Sequence, residues 1–342
     1  MLTEDTAIEA FIDALPKAEL HVHLVGSASV PTVLELAHRH PDGPVPLDER
    51  ELRAFYEFRD FPHFAEVYES VSSLVRTPED VGTLALGTAR DLAAQNVRYV
   101  ELTVTPYTHQ RAGMPMPAIT EALDAAVREA RDRYGIRVAY IFDIPGEFGA
   151  EGARGTLEHA LAHPPQALVG FGLGGIEQCR PPHRDAFREA FAAARAAGLR
   201  SLPHAGEMSG PETIWEAVDG LGAERIGHGL SCLDDPRLVA HLRETQLPLE
   251  VCPTSNVCTG QVPALADHPM PRMLAEGLFV TLNSDDPPMF DTTLTGEYRV
   301  AANVFGLDRA ALAGLARNAV AASCLDEPGR REIIAEIDAL PV

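Results

Sequence analysis

Eight short apolar runs, each closing on polar or glycine-rich residues, do most to restrict what this chain can fold into. They span residues 19–26, 97–106, 136–145, 168–175, 199–207, 225–230, 247–256 and 278–287. Near-continuous apolar character over so few residues suits strands buried on both faces, as in a parallel sheet. Between them run amphipathic stretches of helical period, such as ITEALDAAVREARDRYG and RDAFREAFAAARAAG, closed by glycine, a common helix stop. The pattern predicts the α/β class, with eight β units alternating with helices in a (β/α)8 TIM barrel rather than an open sheet. Two departures from a minimal barrel are expected. The first crossover, about 29–96, is long and carries an aromatic helical insertion, and extra C-terminal helices lie near 309–323 and 330–337. No internal repeat, linker or low-complexity tract interrupts the 342 residues, so one domain over 1–342 is expected.

In such barrels the reacting groups project from the C-terminal ends of the strands. Polar clusters fall at four of those ends. His21-Val22-His23 closes the first run, and residues two apart on a strand share a face, so both imidazoles can aim into the barrel mouth. His204-Ala205-Gly206-Glu207 closes the fifth run, Gly227-His228-Gly229 the sixth, and Ser284-Asp285-Asp286-Pro287 the eighth. Each alone has an ordinary reading, as unrelated histidines, a structural histidine or solvated aspartates. Together, on runs one, five, six and eight, they point to a metal-centred site. Three neutral imidazoles and one carboxylate suit Zn²⁺ and leave one position open for water, whose pKa zinc lowers toward about 7. His21, His23, His204 and Asp285 are the candidate ligands for one zinc per chain. Glu207, His228 and Asp286 remain for proton traffic and substrate contact.

Lys17 is the only lysine in the chain. It precedes the first ligand, at the wrong end of its strand, and the fourth run, LVGFGLGG, has none. A binuclear centre bridged by a lysine on the fourth strand is thereby excluded, and Schiff-base and P-loop chemistry are disfavoured. Acidic residues outnumber basic ones by 50 to 28, a net −22, which argues against nucleic acid as a partner. No run of about 18 apolar residues suggests a membrane span, and the acidic N-terminus lacks the basic region of a secretory signal. Five cysteines without dense spacing suit a reducing, cytoplasmic setting, with Cys252 and Cys258 read as small buried hydrophobes. Nothing in the sequence sets the oligomeric state.

Several of these pieces, PKAELHVHL, GLGGIE, HAGE, RIGHG, CPTSN and NSDDP, resemble the adenosine deaminase family in order and spacing from Pro16 to Pro288. They do not match the H-x-E and P-C-x-x-C pattern of cytidine-type zinc deaminases. The resemblance implies a small-molecule purine nucleoside as partner and the same four metal ligands. It also implies that Glu207 faces purine N1 and donates a proton as C6 is attacked. His228 would orient or deprotonate the attacking water, Asp286 would meet N7, and the Gly175 N–H would meet N3. The physical logic agrees: charge builds on N1 during attack, and a protonated carboxyl there lowers the barrier. A barrel hydrolase of cyclic amides or phosphoesters would use the same strand ends, but HAGE and SDDP argue against it. A non-catalytic relative would be expected to lose ligands or Glu207, and none is missing.

One departure bears on substrate. Adenosine deaminases typically carry aspartate after H-x-H-L, where it looks like the group that binds the ribose 5′-hydroxyl, and adenine deaminases of the family tend to carry glutamate. Here the position is Val25, which accepts no hydrogen bond. The resemblance then favours a 5′-modified nucleoside such as 6-aminodeoxyfutalosine of menaquinone synthesis, whose tail is a benzoate-bearing ketone chain. Adenosine, methylthioadenosine and adenine are the alternatives. Phe55, Phe58, Phe61 and Phe64 recur every third residue in the insertion, and Phe58 and Phe61 are candidates for an apolar tail subsite, although Pro62 breaks the pattern. Packing of a lid helix onto the barrel explains the same spacing.

Overall fold

In the computed structural model, which describes residues 4–59, 61–180 and 185–341, every predicted run overlaps one strand. The strands are β1 Lys17–His23, β2 Val97–Val104, β3 Arg137–Pro145, β4 Leu168–Gly174, β5 Arg200–Ala205, β6 Ile226–His228, β7 Leu249–Val251 and β8 Val280–Leu282. They pair in parallel in chain order. The ring closes where Val22 bridges Asp285: the Asp285 N–H donates to the His21 carbonyl at 2.9 Å and the His23 N–H donates to the Asp285 carbonyl at 3.1 Å. That closure carries the eighth-strand aspartates to the first-strand histidines, about 260 residues away. The strands are shorter than the runs, because the polar tails leave the ladder and form the loops of the mouth.

The helices form for local reasons. Pro78–Ala93 starts in a capping box between Thr77 and Asp80, and Met116–Tyr134 ends at Gly135 with φ 68°. Among the described residues the first crossover holds four helices, Val30–Arg39, Glu49–Phe55, Phe61–Ser72 and Pro78–Ala93. Phe61–Ser72 lies at the mouth, and Pro62 sits in its first turn, where a missing N–H costs nothing.

Among the described residues three helices follow β8: Leu294–Asn303, Arg309–Ala322 and Glu327–Asp338. Arg309–Ala322 packs on β8 and β1 as the last barrel helix. The sequence reading foresaw the last two and missed Leu294–Asn303 and the N-terminal helix Glu4–Ala14, which pack on each other. Arg299 joins that pair, donating to Glu9 at 2.5 Å and Asp13 at 2.7 Å.

Lys17 closes the bottom of the barrel, far from the loops. It is fully buried, and its Nζ donates to the carbonyls of Ile12 at 2.7 Å, Leu15 at 2.8 Å and Gln95 at 3.2 Å. Among the described residues, no helix is long and apolar enough to cross a membrane.

Candidate active site

The four candidate ligands converge at the mouth. His23 Nε2 lies 3.2 Å from His204 Nε2 and 3.2 Å from Asp285 Oδ1, and His21 Nε2 lies 3.6 Å from the same carboxylate oxygen. One nitrogen from each of His21, His23 and His204 falls within a 4.8 Å cluster. His21 Nε2 is sealed from solvent with no hydrogen-bond partner. A buried orphan nitrogen and two imidazole nitrogens facing each other are unfavourable unless something shares their lone pairs. A divalent cation does so, and the donor set fits one.

Burial pushes His21 down and His204 well below its ordinary value, so both are neutral lone-pair donors. Burial also opposes charge on His23 and Asp285. Their mutual hydrogen bond outweighs it, raising His23 to about 10 and holding Asp285 well below the carboxylate range.

The local backbone is specialised to make this approach. Asp285 has φ 66° and His228 φ 62°, left-handed conformations that are uncommon for residues with a side chain and cluster at functional sites. At Gly227 a Cβ would lie 2.7 Å from His21 Cε1 and 3.2 Å from the His204 Cα. The glycine before His228 is therefore required by the two imidazoles it lies against.

Glu207, His228 and Asp286 stand around the cluster. His228 Nε2 is 3.6 Å from Glu207 Oε2 and 3.9 Å from Asp285 Oδ2. Burial raises the Glu207 carboxyl, and burial with the adjacent Asp285 charge raises Asp286 well above the carboxylate range. Asp286 Oδ1 is buried without a partner. Two carboxyls pushed toward the protonated form thus flank the imidazole cluster, an arrangement suited to protonating or donating to ring nitrogens.

A cavity of about 440 Å³ opens onto the cluster. His23, His204, Glu207, His228, Asp285 and Asp286 are on its wall, and so are Gly175 and Val25. The lid helix contributes Phe61, Phe64 and Tyr68, and the loop after β8 contributes Phe290. Phe58 is not on the wall. It packs behind it, with its ring centroid 5.2 Å from Phe64 and 5.9 Å from Phe290. Of the two aromatic candidates, the structure brings only Phe61 to the cavity. Arg59 is exposed.

The sequence reading missed the groups that hold these side chains. Glu250 Oε2 accepts from His21 Nδ1 at 2.9 Å, and Arg225, buried between Glu250 and Glu101 at 2.5 Å from each, holds that carboxylate. Such a carboxylate fixes the ring and raises its basicity toward a metal. Ser255 donates to Asp285 Oδ2 at 2.6 Å, and Asn256 joins His228 Nδ1 at 3.1 Å to His268 Nε2 at 3.2 Å. Both come from CPTSN, so the motif carried a usable signal.

Glu177 accepts from the N–H groups of Gly206 and Met208, each at 2.9 Å, bracketing Glu207. Cys252 Sγ also falls near His21 and Asp285. Burial pushes its thiol well up, leaving it a protonated donor to the Glu250 carbonyl at 3.7 Å rather than a thiolate ligand.

Comparison with known proteins agrees with this geometry. The adenosine deaminase family profile matches residues 16–340. An aminodeoxyfutalosine deaminase of Streptomyces avermitilis is 52% identical over 333 residues, covering 97% of this chain and 92% of the relative. The solved adenine deaminase of Arthrobacter aurescens superposes with a TM-score of 0.89 at 31% identity, covering 95% of this chain and 98% of that one. An amidohydrolase of Burkholderia ambifaria with bound Zn superposes with a TM-score of 0.88 at 29% identity, covering 99% and 94%. With eight strands carrying these groups to one mouth, and likeness along nearly its whole length, the chain belongs to the adenosine deaminase family, enzymes that act on C–N bonds of cyclic amidines.

Proposed function

We propose that this chain hydrolyses the 6-amino group of 6-aminodeoxyfutalosine, a 5′-modified adenine nucleoside of menaquinone synthesis, with release of ammonia and one Zn²⁺ held by His21, His23, His204 and Asp285. The observation that carries the substrate is Val25. It lies on the cavity wall with Phe61 and Phe64 and offers no acceptor where a free 5′-hydroxyl would need one. The relative at 52% identity, whose name is aminodeoxyfutalosine deaminase, supports the same reading.

When bound, the ion supplies Lewis acidity and makes a water nucleophile available near neutral pH. The protein's own groups do the rest. Glu207, whose carboxyl burial pushes toward the protonated form, delivers a proton to purine N1 as C6 becomes tetrahedral. His228, held through Nδ1 by Asn256, orients the attacking water. Asp286 holds a proton and has an unpartnered oxygen, so it donates to N7, and the Gly175 N–H donates to N3. The buried setting strengthens each of these contacts because water does not compete.

The chain acts in the cytoplasm as one domain. The adenine deaminase among the structural relatives favours adenine as the second reading. The deciding experiment compares kcat/KM for aminodeoxyfutalosine, adenosine, methylthioadenosine and adenine on zinc-loaded protein. A preference of about 100-fold for the first, equal to ~2.7 kcal/mol of transition-state discrimination, is expected. Equal or faster turnover of adenine or adenosine refutes the substrate proposed.

A further inference from the structure

The cavity wall holds one polar group that this reaction does not use. His109 sits on the short helix Pro106–Arg111 after β2 and is only 3% exposed. It lines the cavity beside Thr108, with Tyr68 and Ser72 of the lid helix and Phe148 after β3. Among the described residues neither of its ring nitrogens has a hydrogen-bond partner, yet neither is sealed off, so both border open space. The contrast with nearby His159 is direct, because both nitrogens there are partnered, by Gln110 at 2.9 Å and Thr120 at 3.0 Å. A buried imidazole left incomplete at a cavity wall calls for a ligand atom to complete it.

Charge locates the kind of atom. Glu69, Asp143, Glu147, Glu207, Asp285 and Asp286 line the cavity, and among the described residues no lysine or arginine does. Burial alone holds His109 down, to about 4, with no charged neighbour contributing, so it stands apart from those carboxylates as a neutral donor. The rim on its side carries a cation: the Arg111 guanidinium lies 4.4 Å from the ring centroid of Phe148, which is 37% exposed. Arg111 makes no ion pair with any described residue.

We infer that His109 is the specificity-determining anchor of the 5′ substituent. Its ring N–H donates to a carbonyl or carboxylate oxygen on an aromatic tail, and Phe148 and Arg111 complete an aryl-acid subsite at the rim. This inference rests on the 5′-modified nucleoside proposed above. A phosphate directly on the 5′ carbon would hold its charge among the carboxylates, whereas a longer tail carries it to the imidazole and the guanidinium.

The test measures kcat/KM on aminodeoxyfutalosine and methylthioadenosine for the parent, His109→Leu, His109→Gln and Arg111→Ala, each checked for metal content and thermal unfolding. His109→Leu is expected to lose about 10-fold or more on aminodeoxyfutalosine, chiefly in KM, and less than about twofold on methylthioadenosine. His109→Gln, which keeps an N–H donor, should recover most of that loss. Arg111→Ala, a surface change that leaves folding intact, should lose roughly threefold on the long-tailed substrate alone. Equal losses on both substrates, or none, overturn the subsite. A parent that does not prefer aminodeoxyfutalosine overturns the substrate reading instead, and the subsite loses its ligand with it.

Discussion

Gly26→Ala is the sharpest test of Asp286. A Cβ built on Gly26 would stand 1.5 Å from Asp286 Oδ1, 2.2 Å from its Cγ and 2.6 Å from its Cβ. Ordinary contact begins near 3.4 Å, so the carboxyl must retreat by roughly 2 Å or leave its rotamer. Gly26 is not among the residues with positive φ, so alanine meets no backbone penalty and the effect is steric.

A misplacement of about 1 Å in a reacting constellation costs on the order of 100-fold. The expected loss in kcat/KM is therefore at least about 100-fold, or ~2.7 kcal/mol of transition-state stabilisation. The three atoms nearest the new methyl all belong to Asp286, so bound zinc, read by elemental analysis, should be unchanged. Overpacking costs ~1–3 kcal/mol and lowers Tm by a few degrees. If both changes act through one carboxyl, Gly26→Ala combined with Asp286→Ala should lose no more activity than Asp286→Ala alone. Retention of activity within about threefold in the single variant would refute the reasoning, because Asp286 would then have no position to keep.

Glu207→Gln preserves shape and removes the transferable proton. It is expected to bind zinc normally and lose about 100-fold or more in kcat, and near-parental turnover would remove Glu207 from the proton path. Glu250→Gln weakens the support of His21 and should raise the zinc dissociation constant about 10- to 100-fold in a chelator competition, with an unchanged constant counting against that support.

Acid stability follows from His109, which burial holds at about 4. In the unfolded chain it takes a proton near 6.5, so between those values the unfolded state binds more protons and stability falls as pH drops, by up to about 3 kcal/mol. His109→Phe removes that contribution, and its Tm should fall less between pH 7 and pH 4.5 than the parent's. An identical fall would mean His109 is not held neutral.

The eight runs were legible because strands buried on both faces are written as continuous apolar sequence. The residue types at their ends were legible because a strand end is a local position. The lengths were not: β6, β7 and β8 shrink to three residues each, since the polar tails of their runs leave the ladder to reach the mouth. The helix Leu294–Asn303 was hidden because its stability comes from packing on Glu4–Ala14, a contact nearly 290 residues apart. Phe58 and Phe61 share one spacing in sequence, and only the seating of the lid helix sends one to the cavity and the other behind it.

By itself, then, the sequence determined the barrel, the four candidate metal-binding positions and the place of Val25, because periodicity, residue chemistry and motif order are properties of the chain read locally. The tertiary structure decided which groups meet. Closure of the ring sets Asp285 against His21 and His23, the approach of Gly26 fixes Asp286, and Glu250 reaches His21 across the barrel. It alone also decided the state of His109, since burial and the lack of a partner belong to the assembled surroundings of a side chain and leave no mark on the residues beside it in sequence.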